Sequence, residues 1–206
     1  MKGSRPLTAQ ELATVKPLFS GRMARRNLAL FCLGINTGYR IIELLSLTVG
    51  DVIDKNGDFQ EYASVARRNM KGSHEGRAVP LNASARNALR PWLKQLEQLG
   101  YGHKDDFLFQ SQKAGNAAIN IKTAWRVLED AYRAGGLTGR LGTHAMRKTF
   151  ANTIYSHFLA RVASGEMIDA FRCTSKALGH NDIKSTDQYL SFRNEDVYMA
   201  IHALEN

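Results

Sequence analysis

The chain has 206 residues, of which 44% are hydrophobic and 23% charged. Those proportions are ordinary for a globular protein that buries a core, and they argue against a disordered chain. The 28 Lys+Arg against 19 Asp+Glu leave a net charge of +9, which points to a polyanion partner, nucleic acid ahead of an anionic membrane surface.

The first helix start falls at residues 7–12, LTAQEL. Thr8 can cap, Glu11 can close a capping box, and Leu7 can staple to Leu12. A second helix is predicted from about 22 to 36, with Leu28, Phe31, Cys32 and Ile35 on one face, stopped by Asn36-Thr37-Gly38. A short helix then begins near Arg40 and runs through Ile41, Leu44, Leu45 and Leu47. Between 49 and 81 the period changes. Asn56-Gly57 is a hairpin signal, and Tyr62, Ser64, Val65, Ala78 and Val79 read as strands around the turn MKGSHEG. A three-stranded antiparallel sheet is the expectation there. Asn82 caps a helix to about Gln98, which Pro91 should bend. The apolar triplet Phe107-Leu108-Phe109 and the polar loop QSQKAGN follow. Asn120 caps the next helix, with Trp125, Leu128 and Tyr132 expected inward, and Ala134-Gly135-Gly136 ends it. Thr143 is expected to cap a helix opening with THAMRK, and further short helices lead to Tyr189. After Asn194, Val197, Ile201 and Leu204 form an amphipathic stripe. The fold class is α+β, mainly α-helical, with a small sheet inserted early.

The first thirty residues carry Lys2, Arg5, Lys16, Arg22, Arg25 and Arg26 against one acid, Glu11. Arg22, Arg25, Arg26, Arg67, Arg68, Arg77 and Lys148 are the candidate DNA contacts. Cys32 and Cys173 have no CxxC spacing, which argues against a disulfide framework or a structural zinc site and fits a reducing compartment. There is no apolar leader and no 18-residue apolar run. The expected setting is intracellular and soluble, with no membrane.

Four stretches carry chemistry: NTGYRIIELLSL, with Arg40 and Glu43; RRNMKGSHEGRAVPL, with Lys71; THAMRK, with His144 and Arg147; and LGHNDIKSTDQYL, with His180 and Tyr189. Each alone has a plain explanation, such as a surface ion pair, a turn lysine or a core tyrosine. Together they suit phosphoryl transfer to a protein nucleophile without a metal. Two guanidinium forks can hold the non-bridging oxygens of a phosphodiester as their charge grows. A tyrosine hydroxyl can attack phosphorus, and a lysine can protonate the leaving oxygen.

The set, in this order, resembles the tyrosine recombinases, the phage integrase family, from Thr37 to Leu190. The resemblance implies that family's catalytic-domain fold and a site-specific recombinase working through a 3′-phosphotyrosine intermediate. It implies that Arg40 and Arg147 clamp the scissile phosphate and Tyr189 attacks it. Lys71 becomes the general acid, His144 assists proton transfer, His180 donates a hydrogen bond to the phosphate, and Glu43 supports the site. No metal and no cofactor is implied. The partners implied are double-stranded DNA, a homo-oligomer (a tetramer) on that DNA, and accessory DNA-bending proteins.

The sequence departs from the family pattern in three places. Lys148 stands where the family often has histidine. The segment 148–179 is about three helical turns longer than the compact version, around 156–174, as a longer helix pair or a loop. The pattern also starts almost at once, at Leu7-Thr8, so 1–206 reads as a single catalytic domain without the N-terminal core-binding domain. The tail 191–206 either docks on its own core or is exchanged between protomers. Two rivals stay open: a non-cleaving DNA-binding or accessory protein on this fold, and a type IB topoisomerase-like enzyme. Filled catalytic positions disfavour the first, and the LGH element and small size disfavour the second.

Overall fold

The computed structural model describes residues 3–66, 76–113, 115–180, 183–187 and 189–190. Lys71, Arg67, Arg68 and the tail stripe of Val197, Ile201 and Leu204 lie outside the described residues.

Helix α1 (Ala9–Val15) starts as its sequence dictates. Thr8 Oγ1 accepts the Glu11 amide, and the Glu11 carboxylate accepts the Thr8 amide. Helix α2 (Ala24–Thr37) is the buried centre. Ala29, Leu30, Phe31 and Leu33 are solvent-free, and α2 packs mainly on α4 (Ala83–Gln98) and α6 (Thr143–Ala163). It stops at Gly38, whose φ of 61° is left-handed. A Cβ there would sit 2.3 Å from the Phe150 ring, so glycine is required twice over. Helix α3 (Ile41–Leu45) follows at once.

Strands β1 (Tyr62–Val65) and β2 (Arg77–Pro80) pair antiparallel, Tyr62 opposite Pro80 and Val65 opposite Arg77. Among the described residues the sheet has two strands, not the three expected. The Asn56-Gly57 turn leaves only one bridge, Ile53 to Phe59. There the Asp54 carboxylate accepts the amides of Asn56 and Asp58, so the side chain takes donors a ladder would need.

Helix α4 is capped by Asn82, and Trp92 anchors it by donating Nε1–H to the Leu108 carbonyl at 2.8 Å. Helix α5 (Ile121–Ala134) is capped by Asn120. Its inward face is Ala124, Leu128, Ala131 and Tyr132. Trp125, expected inward, is 43% exposed, because the i, i+4, i+7 row starts at Ala124, one position earlier.

Helix α6 begins at Thr143, but the residue before it, Gly142, holds the cap position and no side chain caps it. It runs 21 residues to Ala163, and α7 (Ala170–Leu178) follows, capped by Asp169. The long 148–179 segment is thus a helix pair. Phe150, Ala151, Leu178, Tyr189 and Leu190 form a second apolar cluster that ties α6 and α7 to the tyrosine.

Candidate active site

Two helix C-termini meet beneath the site. Helix α2 ends in Gly38 and α7 ends in Gly179, both left-handed. Helix ends expose carbonyls with no partner in the helix and a partial negative charge. Two arginines fill that need, and each bridges both ends. Arg147, from the second turn of α6, donates Nη1–H to the Gly38 carbonyl and Nη2–H to Leu178 O at 2.9 Å. Arg77, from β2, donates Nη2–H to Thr37 O at 2.7 Å and Ala177 O at 2.5 Å, and lies over the Tyr39 ring. Arg147 is 1% exposed and Arg77 8%. Burial, then the charge of a neighbouring arginine, lowers both, Arg77 to about 10.

Arg77 was expected to contact DNA. Its guanidinium is committed inside the protein instead, because the carbonyls of two helix ends converge on it. Arg26 is corrected likewise: it is 4% exposed and holds the Gln110 carbonyl and the Asn27 side chain. Arg22 and Arg25 are exposed, and Lys148 is half-buried with its amine pulled down by burial.

Arg40 sits at the start of α3. Its Nη1–H donates to Glu43 Oε1 at 2.9 Å, while its backbone amide donates to Oε2 at 2.7 Å. Glu43 is buried and Arg40's side chain keeps about a third of its surface open. The charge of Arg40 depresses Arg147, His144 and His180 alike, which puts all four in one electrostatic neighbourhood.

His180 follows Gly179. Its Nε2 is 2.9 Å from Arg147 Nη2, and its Nδ1 is 2.9 Å from Thr186 Oγ1. A guanidinium only donates, so Nε2 accepts here and the proton sits on Nδ1. The resemblance gives His180 a donating role toward phosphate; in this arrangement the Nε2 lone pair is turned to Arg147. Burial, then Arg147, Arg40 and Arg77, push His180 down to about 4. His144 has exposed surface but an imidazole half covered by its neighbours, and it is also lowered, by that partial burial first and then by Arg147, Arg40 and Lys148.

Tyr189 is 7% exposed. Its ring lies 5.1 Å from the His180 ring and 5.0 Å from the Arg147 guanidinium carbon. Asn152 of α6 donates to its carbonyl at 2.9 Å. A cleft of about 430 Å³ opens here, lined by Tyr189, His144, Lys148, Arg140 and the N-terminal Gly3 and Ser4. Four expected residues, Arg40, Arg147, His180 and Tyr189, are therefore brought together, with His144 on the cleft wall and Glu43 beneath Arg40. Sequence reasoning missed Thr186, Asn152 and the bridging role of Arg77. The spacing offered one signal: Thr186 lies six residues after His180 and three before Tyr189.

The layout is that of a helical domain with two buried arginines, one of them beside a tyrosine that lines a basic cleft. Residues 9–195 match the phage integrase family, and the chain belongs to it. It is 27% identical over 186 residues to the tyrosine recombinase XerD of Oceanobacillus iheyensis, covering 88% of this chain and 56% of that protein. It is 29% identical over 188 residues to the tyrosine recombinase XerD of Mycobacterium tuberculosis, covering 89% and 51%. Among solved structures, it resembles the XerH site-specific recombinase bound to a palindromic difH substrate in a post-cleavage complex. That match has a TM-score of 0.73 at 24% identity, over 98% of this chain and 53% of that one. A lambda integrase dimer bound to a COC′ core site gives 0.67 at 19%, over 94% and 61%. At these identities the structural matches speak for the fold. The chain spans about half the length of the relatives it matches.

Proposed function

We propose that this chain cuts and rejoins double-stranded DNA at a specific site through Tyr189. The observation that carries the reading is the grouping of Arg147, His180 and Tyr189, close enough to Arg40 to feel its charge, beside a basic cleft lined by Tyr189, His144, Lys148 and Arg140; the guanidinium groups would supply fixed positive charge where a phosphodiester gains negative charge.

Tyr189 Oη attacks phosphorus as the bond to the 5′-oxygen breaks. The tyrosine proton passes to His144, which is neutral at pH 7 because its basicity is lowered. The leaving 5′-oxygen takes a proton from Lys71. The product is a 3′-phosphotyrosine and a free 5′-hydroxyl, and attack by a 5′-hydroxyl of the partner duplex reverses the steps. His180, neutral, holds Arg147 in plane, and Lys148 adds charge at the cleft wall. Arg22 and Arg25 reach the DNA backbone. Assembly as a tetramer on DNA, help from DNA-bending proteins, and exchange of the 191–206 tail belong to the same reading, as does a cytoplasmic, nucleoid-associated setting. It is supported by relatives named as recombinases and by a described chain in which no helix is long and apolar enough to cross a membrane.

The test begins with selection of bound random duplexes to obtain a site, followed by a nicked suicide substrate carrying it. A covalent adduct that Tyr189→Phe abolishes supports the proposal. Tight binding with no adduct means a non-cleaving DNA-binding protein, and relaxation of any plasmid by the isolated chain means a topoisomerase.

A further inference from the structure

We propose that Thr186 is a positioning residue that, in the DNA-free chain, holds His180 in its Nδ1–H tautomer and sets ring and nucleophile together against Arg147. The inference rests on the reading of His180 and Tyr189 as working groups.

The geometry leaves little freedom. Arg147 Nη2 faces His180 Nε2 at 2.9 Å and can only donate. The imidazole proton must then sit on Nδ1, where the group at 2.9 Å is the Thr186 hydroxyl oxygen. Thr186 is fully buried, so water does not stand in for it. The hydrogen bond on one ring nitrogen fixes the state of the other, and here that bond comes from a β-branched side chain with restricted χ1.

The same residue also holds the nucleophile. The Thr186 carbonyl accepts the Tyr189 amide at 2.9 Å and the Leu190 amide at 3.3 Å. Side chain and backbone of one residue therefore fix the histidine and the tyrosine in register, and Arg147 lies against both. Thr186→Val keeps the shape and removes the acceptor. The Nδ1–H would be buried without a partner, so the proton moves to Nε2 or the ring turns, and Arg147 loses one of its three acceptors.

The test uses the full chain in two measurements. Imidazole ¹⁵N NMR, with the His180 signal assigned by its absence in His180→Gln, reads the tautomer without DNA. Wild type and Thr186→Ser should show the Nδ1–H form at neutral pH, and Thr186→Val should lose it. Single-turnover adduct formation on the suicide substrate should fall roughly ten- to a hundred-fold in Thr186→Val, recover in Thr186→Ser, and leave DNA affinity unchanged. An Nε2–H or protonated His180 in wild type would overturn the inference even if Thr186→Val fails to fold. So would Thr186→Val cleaving at the wild-type rate. Absence of any adduct in wild type sinks the proposed function instead, and the NMR result still decides this assignment.

Discussion

Arg147 and Arg40 share one electrostatic neighbourhood but sit in opposite circumstances. Arg147 is sealed in, its two terminal nitrogens given to Gly38, Leu178 and His180. Arg40 is a third open and leans on a single carboxylate, Glu43. The contrast teaches that the site has a fixed half, built from two helix ends, and a more open half held by one carboxylate. Arg147 doubles as a joint of the fold, and Arg40 does not.

The sharpest way to break the contrast is at the fixed half. Gly38→Ala forces a side chain into a left-handed backbone and onto the Phe150 ring, and it disturbs the carbonyl that Arg147 holds. A loss of about 2–4 kcal/mol is expected from strain and overpacking, measured by urea unfolding. Next comes one substitution made at both arginines. Arg147→Lys cannot reproduce the planar fork and leaves helix-end carbonyls short of donors, costing about 1–3 kcal/mol of stability. Arg40→Lys keeps a cation for Glu43 and should stay within about 1 kcal/mol of wild type. Both should slow adduct formation by roughly 10²–10³. Equal stability losses at the two positions would erase the distinction.

The last effect expected is a pH dependence. His180 is held at about 4 against about 6.5 in an unfolded chain. Between those values the unfolded chain binds a proton that the native one does not. The stability is therefore complete above pH 6.5 and drains away as pH falls toward 4. His180→Gln should flatten that decline while leaving the part due to His144, whose shift has the same sign. Thermal melts from pH 4 to 7 read it directly.

Much of this was legible in the sequence because its signals are local. Thr8 with Glu11, Asn82, Asn120 and Gly38 mark helix ends through bonds spanning a few residues, and all four function as expected. Arg40 and Glu43 pair across one turn. What stayed hidden depends on distant partners. Arg26 and Arg77 look like surface charge until the carbonyls of Gln110, Thr37 and Ala177 are in place. Trp125 was misassigned because the inward row opens on the small Ala124, and a large aromatic one position later reads as the stronger apolar signal. The length of α6 escaped because its second half leaves the core, Leu159 and Val162 being exposed, so no apolar stripe marks it. Thr186 gave only its spacing, and its meaning depends on which nitrogen of His180 faces Arg147.

The most direct test of the central claim is a structure of the full chain with a duplex of its selected site, using Tyr189→Phe to hold the uncut state. The account predicts a single backbone phosphate within hydrogen-bond reach of both Arg40 and Arg147, with the ring at position 189 beside it and opposite the 5′-oxygen. DNA lying on another face, or the two arginines gripping different phosphates, would contradict it.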